Sequence, residues 1–267
     1  MEEILHQAER SEKDYDWLAA AGLYEKVLSQ LPQDDFLKVG DSYERLGYAF
    51  YRSAFQAENN EEFRERMHQA VLNHEKAKEF YGRLKEQVRA PKTFRCDAMI
   101  AFAGCWLASE ASEKKRLLGE CWRLTKEALK GLDETGSALE YGETYNQLSS
   151  SAAERYCYES SFEFREELTR EAVQYGERAI ILLSKVNAPH ELAKAYVKTA
   201  MYLSNFAWYF APDMDEKDGY YRKGLGYWEK ATKLSEEIAF LELLSAPTDT
   251  LDWTTDEMLV QFGKASG

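Results

Sequence analysis

The chain has 267 residues, 45 % of them hydrophobic, enough to bury a substantial core and to exclude a disordered chain. Its 15 glycines and 5 prolines give little punctuation for the many tight turns of an all-β protein, so helix is the expected class. A net charge of −13 repels phosphate and argues against a general nucleic-acid or anionic-membrane binder.

From the N-terminus, Met1-Glu2-Glu3 is acidic where a secretory signal would be basic. The predicted helices then alternate in two sets. First helices are expected over 2–13, 36–57, 92–109, 137–158 and 190–210, and second helices over 15–31, 60–87, 112–132, 162–185 and 215–239. Asn59-Asn60, Ser112, Ser160-Ser161 and Pro212-Asp213 are expected to cap or open second helices, while Pro32, Pro91, Gly136 and Pro189 fall between units. The longest apolar stretch, Ala98 to Ala108, falls short of the ~18 to 20 residues of a membrane span. Cys96, Cys105, Cys121 and Cys157 show no C-x-x-C spacing and sit in apolar helical surroundings, which predicts reduced, buried thiols and a cytoplasmic setting. After Pro247 the pattern weakens. The chain therefore divides into a helical repeat domain, 1–247, and a tail, 248–267, expected as one closing helix over Thr255 to Lys264 or as the stump of a longer chain.

One period organises these helices. The strings ending at Val27, Ala77, Ala128, Ala179 and Ala231 (Tyr24-Glu25-Lys26-Val27 to Trp228-Glu229-Lys230-Ala231) recur every 50 to 52 residues, and seven residues earlier each copy has a small residue: Ala20, Ala70, Cys121, Ala172, Gly224. Where a helix crosses its neighbour closely, a larger side chain would overpack the contact by ~1 to 3 kcal/mol. In the first helices Tyr43, Phe94, Tyr145 and Tyr196 recur 51 apart. Gly47, Ala98, Ser149 and Ala200 follow four residues later, and Phe55, Trp106, Cys157 and Trp208 eight residues after those. Offsets of 4 and 8 put these positions on one helix face, so the recurrent aromatics read as inter-helix core rather than as base-stacking or cofactor residues.

The combinations Tyr43-x2-Leu46-Gly47-x2-Phe50 with Ala70-x3-His74-x2-Ala77, and Gly224-x3-Trp228-x2-Ala231, resemble the tetratricopeptide repeat over about residues 2–240. The usual unit of that family is ~34 residues. The longer unit here resembles the elongated repeats of vesicle-fusion adaptors of the SNAP type and of bacterial peptide-sensing regulators, and Asp97 and Thr199 depart from the family's leucine. The resemblance implies an all-α, right-handed α-solenoid of about five antiparallel hairpins whose first helices line a concave groove, a protein-protein interaction module with no enzymatic activity and no cofactor. The groove positions that follow are Arg45, Tyr48, Arg52, Lys92, Arg95, Met99, Asn146, Lys194, Lys198 and Asn205. Lys92, Arg95, Asn146, Lys194 and Lys198 are similar in type to the carboxylate clamp by which some members hold an acidic C-terminal peptide. The same residues also fit a solvated helix face, since 34 lysines and arginines must lie somewhere. The expected partner is a protein or peptide carrying acidic groups, held more weakly as salt rises, with no nucleic acid and no membrane.

Other readings stay open at this point. One is a regulatory or sensor segment of a larger multidomain protein. Another is a metal-binding helical oxidase, because Glu3-x2-His6 and Glu65-x2-His68 each put a carboxylate and an imidazole on one helix face, although surface histidines in an acidic chain are the simpler account. His74 reads as a packed core histidine and His190 as a helix-start residue. Glu154-Arg155-Tyr156 resembles the Arg-Tyr pair of 14-3-3 phosphopeptide binders, but the other basic positions of that groove lack counterparts. No phosphate loop, G-x-S-x-G or Cys-His pair points to catalysis, and no metal or catalytic residue is assigned.

Overall fold

The computed structural model describes residues 1–132 and 136–237. Ten helices make it up: α1 (Glu2–Lys13), α2 (Trp17–Gln30), α3 (Phe36–Ala54), α4 (Asn60–Tyr81), α5 (Glu86–Leu107), α6 (Ala111–Leu132), α7 (Ala138–Tyr156), α8 (Phe162–Leu183), α9 (Pro189–Tyr209) and α10 (Met214–Glu237). There is no strand among the described residues. Each odd helix packs on the even helix that follows it, and each hairpin packs on the next through the even-to-odd contacts. The fold is an α-solenoid of five antiparallel hairpins. The expected tail helix lies outside the described residues.

The small positions do what their spacing demands. A β-carbon at Gly47 would meet the Ala70 carbonyl at 3.1 Å, and one at Gly224 would meet the Ala200 carbonyl at 3.3 Å. Ser149 donates to the Ala172 carbonyl at 2.8 Å. These pairs are the recurrent small residues of the two helix sets, facing each other where the helices of a hairpin cross. The recurrent aromatics sit beside them, half-buried against the second helix: Tyr43 on Phe80 at 5.6 Å, Tyr145 on Tyr175 at 6.1 Å, Tyr196 on Tyr227 at 5.7 Å. A cation from the recurring string covers each of these rings, namely Lys76, Arg178 and Lys230, at 5.4 to 5.8 Å.

Several boundaries differ from expectation. Pro91 lies inside α5, not between units, because the chain turns earlier, over Gly82 to Lys85. The proline falls in the second turn of the helix, and its ring packs where Gly131 of α6 leaves room, 3.1 Å from where a β-carbon would stand. Helix α4 correspondingly stops at Tyr81 rather than 87, and α3 at Ala54 rather than 57. Ser112 lies within α6 rather than at its cap. Asn59, Ser161 and Asp213 do accept the expected first-turn N–H groups, and so do Asp16, Asp35 and Ser137, which the sequence reading passed over. Trp208 is 48 % exposed, not core. No further hairpin among the described residues covers it, and Lys217 lies over its ring at 4.9 Å.

The array also bends back on itself. Helix α9 touches α7 and α1 in addition to its hairpin neighbours. The α1–α2 turn carries Tyr15 in the left-handed region (φ 61°), a conformation that costs a bulky residue about 1 to 3 kcal/mol. That turn sets Tyr15 and Trp17 edge-on against His190 at 6.4 and 5.5 Å, so the first and last hairpins meet. The inner face is therefore not the open groove expected from the resemblance. It is a recess narrowed by that contact and still open to solvent.

Candidate functional site

The inner wall is built by the odd helices, and one repeat position decides its character. Asp41, Lys92, Glu143 and Lys194 stand 51 residues apart on α3, α5, α7 and α9, so the charge at this position alternates from hairpin to hairpin. Equivalent residues of successive hairpins lie side by side, and opposite signs therefore meet. Lys92 donates to Asp41 at 2.9 Å, and Arg95 pairs with Glu44, its own counterpart one repeat earlier, at 3.0 Å. On the other side α7 supplies Glu143 to Arg95 at 3.0 Å and Glu140 to Lys92 at 3.4 Å. Arg45 reaches across two hairpins to Glu143 at 3.0 Å.

These pairs surround a cavity of about 270 Å³. Of the expected groove residues, Arg45, Tyr48, Lys92, Arg95, Met99 and Lys194 line it. Arg52 lies behind Tyr48, 8 % exposed, with its guanidinium 4.6 Å from the Trp17 ring and 3.6 Å from Glu191. Asn146 is spent on α9, donating to the Glu191 backbone carbonyl at 3.0 Å and to its carboxylate at 2.9 Å. Lys198 donates to Ser150 Oγ at 2.9 Å, away from the cavity, and Asn205 lies further along α9. The cations are not a free basic stripe. Lys92 and Arg95 are each 16 % exposed and held by the protein's own carboxylates.

The carboxylates Asp41, Glu44, Glu140, Glu143 and Glu191 are what the sequence reading left out of the site. Glu191, in the first turn of α9, is the hub of the contact that closes the array. Its carboxylate takes the Tyr48 hydroxyl, Asn146, Lys194 at 3.6 Å and Arg52 at 3.6 Å. Burial alone would raise its pKa, but Lys194 and Arg52 together with the Tyr48 hydroxyl override that and hold it well below the carboxylate range. Burial likewise opposes ionisation of Glu44, yet Arg95, Lys92 and the Tyr81 hydroxyl at 2.6 Å bring it down to about 2. Burial lowers Lys194, and it brings Lys198 to about 8 with help from the neighbouring Lys194 charge. Two histidines are buried neutral. Burial pushes His74 down to about 4 and His190 to about 3, and neither ring nitrogen of either residue has a hydrogen-bond partner. His74 lines the cavity and is seated on Gly47, where a β-carbon would stand 2.9 Å from the ring.

The other sequence candidates lie apart. His6 is exposed and faces Glu9 at 3.3 Å, His68 is exposed on α4, and no group of three or more His, Cys, Asp or Glu that could hold a metal occurs among the described residues. Arg155 is turned to Glu159 at 3.5 Å and to the rings of Trp122 and Phe164, not toward the cavity. All four cysteines are free, and among the described residues no helix is long and apolar enough to cross a membrane.

No protein-family model and no curated protein matches this chain. Among solved structures, a de novo designed helical repeat protein is similar to it at 17 % identity, covering 78 % of this chain and 98 % of that one, with a TM-score of 0.34. The fold assignment rests on the helices and their pairing described above.

Proposed function

We propose that this chain is a protein-interaction scaffold of the tetratricopeptide type, without enzymatic activity, working in the cytoplasm. The observation that carries the reading is the convergence of Arg45, Lys92, Arg95 and Lys194, from three helices, on one internal cavity. Cations gathered on the inner wall of a helical repeat suit a partner segment that ends in, or is rich in, carboxylates. In the closed array those cations already hold Glu140, Glu143 and Glu191, so the partner's carboxylates take the place of internal ones. Binding is then coupled to opening of the contact between the first and last hairpins, and the affinity reflects the difference between two sets of ion pairs rather than the full strength of either. Four free, largely buried cysteines support a reducing compartment.

The test is binding of an array of defined acidic C-terminal peptides to the natural chain, to Lys194→Met and to Glu191→Gln, each shown folded by circular dichroism. Removing the cation weakens capture, whereas neutralising the internal competitor strengthens it. Equal capture by all three chains, or no acidic peptide bound by any, would overturn the reading.

A further inference from the structure

We propose that the inner cavity is a binding site for a small zwitterion, a free α-amino acid or a dipeptide. Two cations on the cavity wall keep hydrogen-bonding capacity that the protein leaves unused. The Lys194 ammonium has three protons and one carboxylate contact, at 3.6 Å to Glu191. Arg45 has five N–H donors and one ion pair, with Glu143. These two cations can take a ligand carboxylate, and Arg45 can do so through two parallel bonds.

The charges around the cavity then fix the ligand class. Its wall carries four cations and five carboxylates. A simple anion adds to a wall that is already net negative, and a simple cation leaves the spare donors of Arg45 and Lys194 unused. An apolar molecule strips water from nine charged groups and returns nothing. A molecule with a carboxylate for Arg45 and Lys194, and an ammonium for the surplus carboxylate, satisfies both poles. The cavity, about 270 Å³, lies near the lower end of the size of small-ligand pockets, ~300 Å³, which favours a free amino acid or a dipeptide over a longer chain. This inference does not depend on the partner reading, because it concerns the isolated, closed chain.

The experiment is calorimetric titration of the full chain with the free L-amino acids and glycylglycine. Each is paired with its blocked N-acetyl amide, and putrescine and succinate serve as a pure cation and a pure anion. The expected result is saturable one-to-one binding of at least one zwitterion, silence of its blocked form, and weakening of about tenfold or more in Lys194→Met and in Arg45→Met, which lose hydrogen bonds to a charged ligand. Both variants are checked for folding, and either one that folds is sufficient. Silence of every zwitterion, equal binding of a blocked form, binding of putrescine or succinate alone, or a zwitterion affinity untouched in the folded variants would overturn the proposal. A chain that binds acidic peptides but no zwitterion would leave the partner reading standing and remove this one.

Discussion

Acidification from pH 7.5 to 5.5 is expected to cost this protein about 3 kcal/mol of stability through two histidines. His74 and His190 are buried without hydrogen-bond partners and are held at about 4 and about 3, against an ordinary 6.5. The folded-state value lies below the unfolded one, so the unfolded chain binds the extra protons. Stability therefore rises with pH across this window and is lost as pH falls below about 6.5. At pH 5.5 an unfolded histidine is about 90 % protonated while its folded counterpart stays neutral, a difference of about 1.4 kcal/mol per residue. Glu44 and Arg95 face His74, and Glu191, Arg52, Arg45 and Lys194 face His190; the carboxylates do not offset burial in either case. Glu12 and Glu154, raised by burial, act in the opposite direction, because the folded chain takes up their protons first. Comparison of variants separates the two effects. Urea midpoints at both pH values should show the natural chain losing about 3 kcal/mol more than His74→Leu plus His190→Leu, with each single variant between them. The same loss in the natural and doubly substituted chains would refute the assignment of buried neutral imidazoles.

Glu191→Ala leaves Arg52 and Lys194 buried beside a missing carboxylate and should destabilise by about 3 to 5 kcal/mol in urea unfolding. Small-angle scattering of the same variant should show a larger radius of gyration as the first and last hairpins part. Gly40→Ala and Gly142→Ala force a β-carbon within 2.5 Å of Tyr81 and Leu183 and should cost about 1 to 3 kcal/mol each in thermal unfolding. Gly22→Ala and Gly119→Ala, mid-helix with nothing within 4 Å, should stabilise by about 0.5 to 1 kcal/mol. Burial raises the thiols of Cys105 to about 12 and of Cys121 and Cys157 to about 11, and Cys96 well above its usual value, so at pH 7.5 a disulfide reagent should label no thiol rapidly until the chain unfolds.

The hairpin array was legible because small residues have no freedom at a close helix crossing, and Ala20, Ala70, Cys121 and Ala172 came through fully buried. Pro91 misled because a proline usually marks a break, whereas this one sits in the second turn of α5, forgoes one intrahelical hydrogen bond and is accommodated against Gly131. The inner-wall cations were found as a class, but they were read as a surface. Aligned at their common period, the repeats form one column. Asp41, Lys92, Glu143 and Lys194 then show alternating sign, which predicts pairing between hairpins rather than a basic stripe. Closure was not legible in that way. It depends on Trp17, Tyr48, His190 and Glu191, which come from different elements at no common spacing and meet only because the array curves far enough to bring its ends together.

The alternating column also makes the copies non-interchangeable. In a uniform array a hairpin can be duplicated or lost by recombination and the neighbours still fit. Here, removing or doubling α5–α6 or α7–α8 would set lysine against lysine or acid against acid along the wall, so viable changes in length there would come two hairpins at a time. Even those would draw Trp17 and His190 out of reach of each other, so the closing contact fixes the spacing between the first hairpin and the fifth.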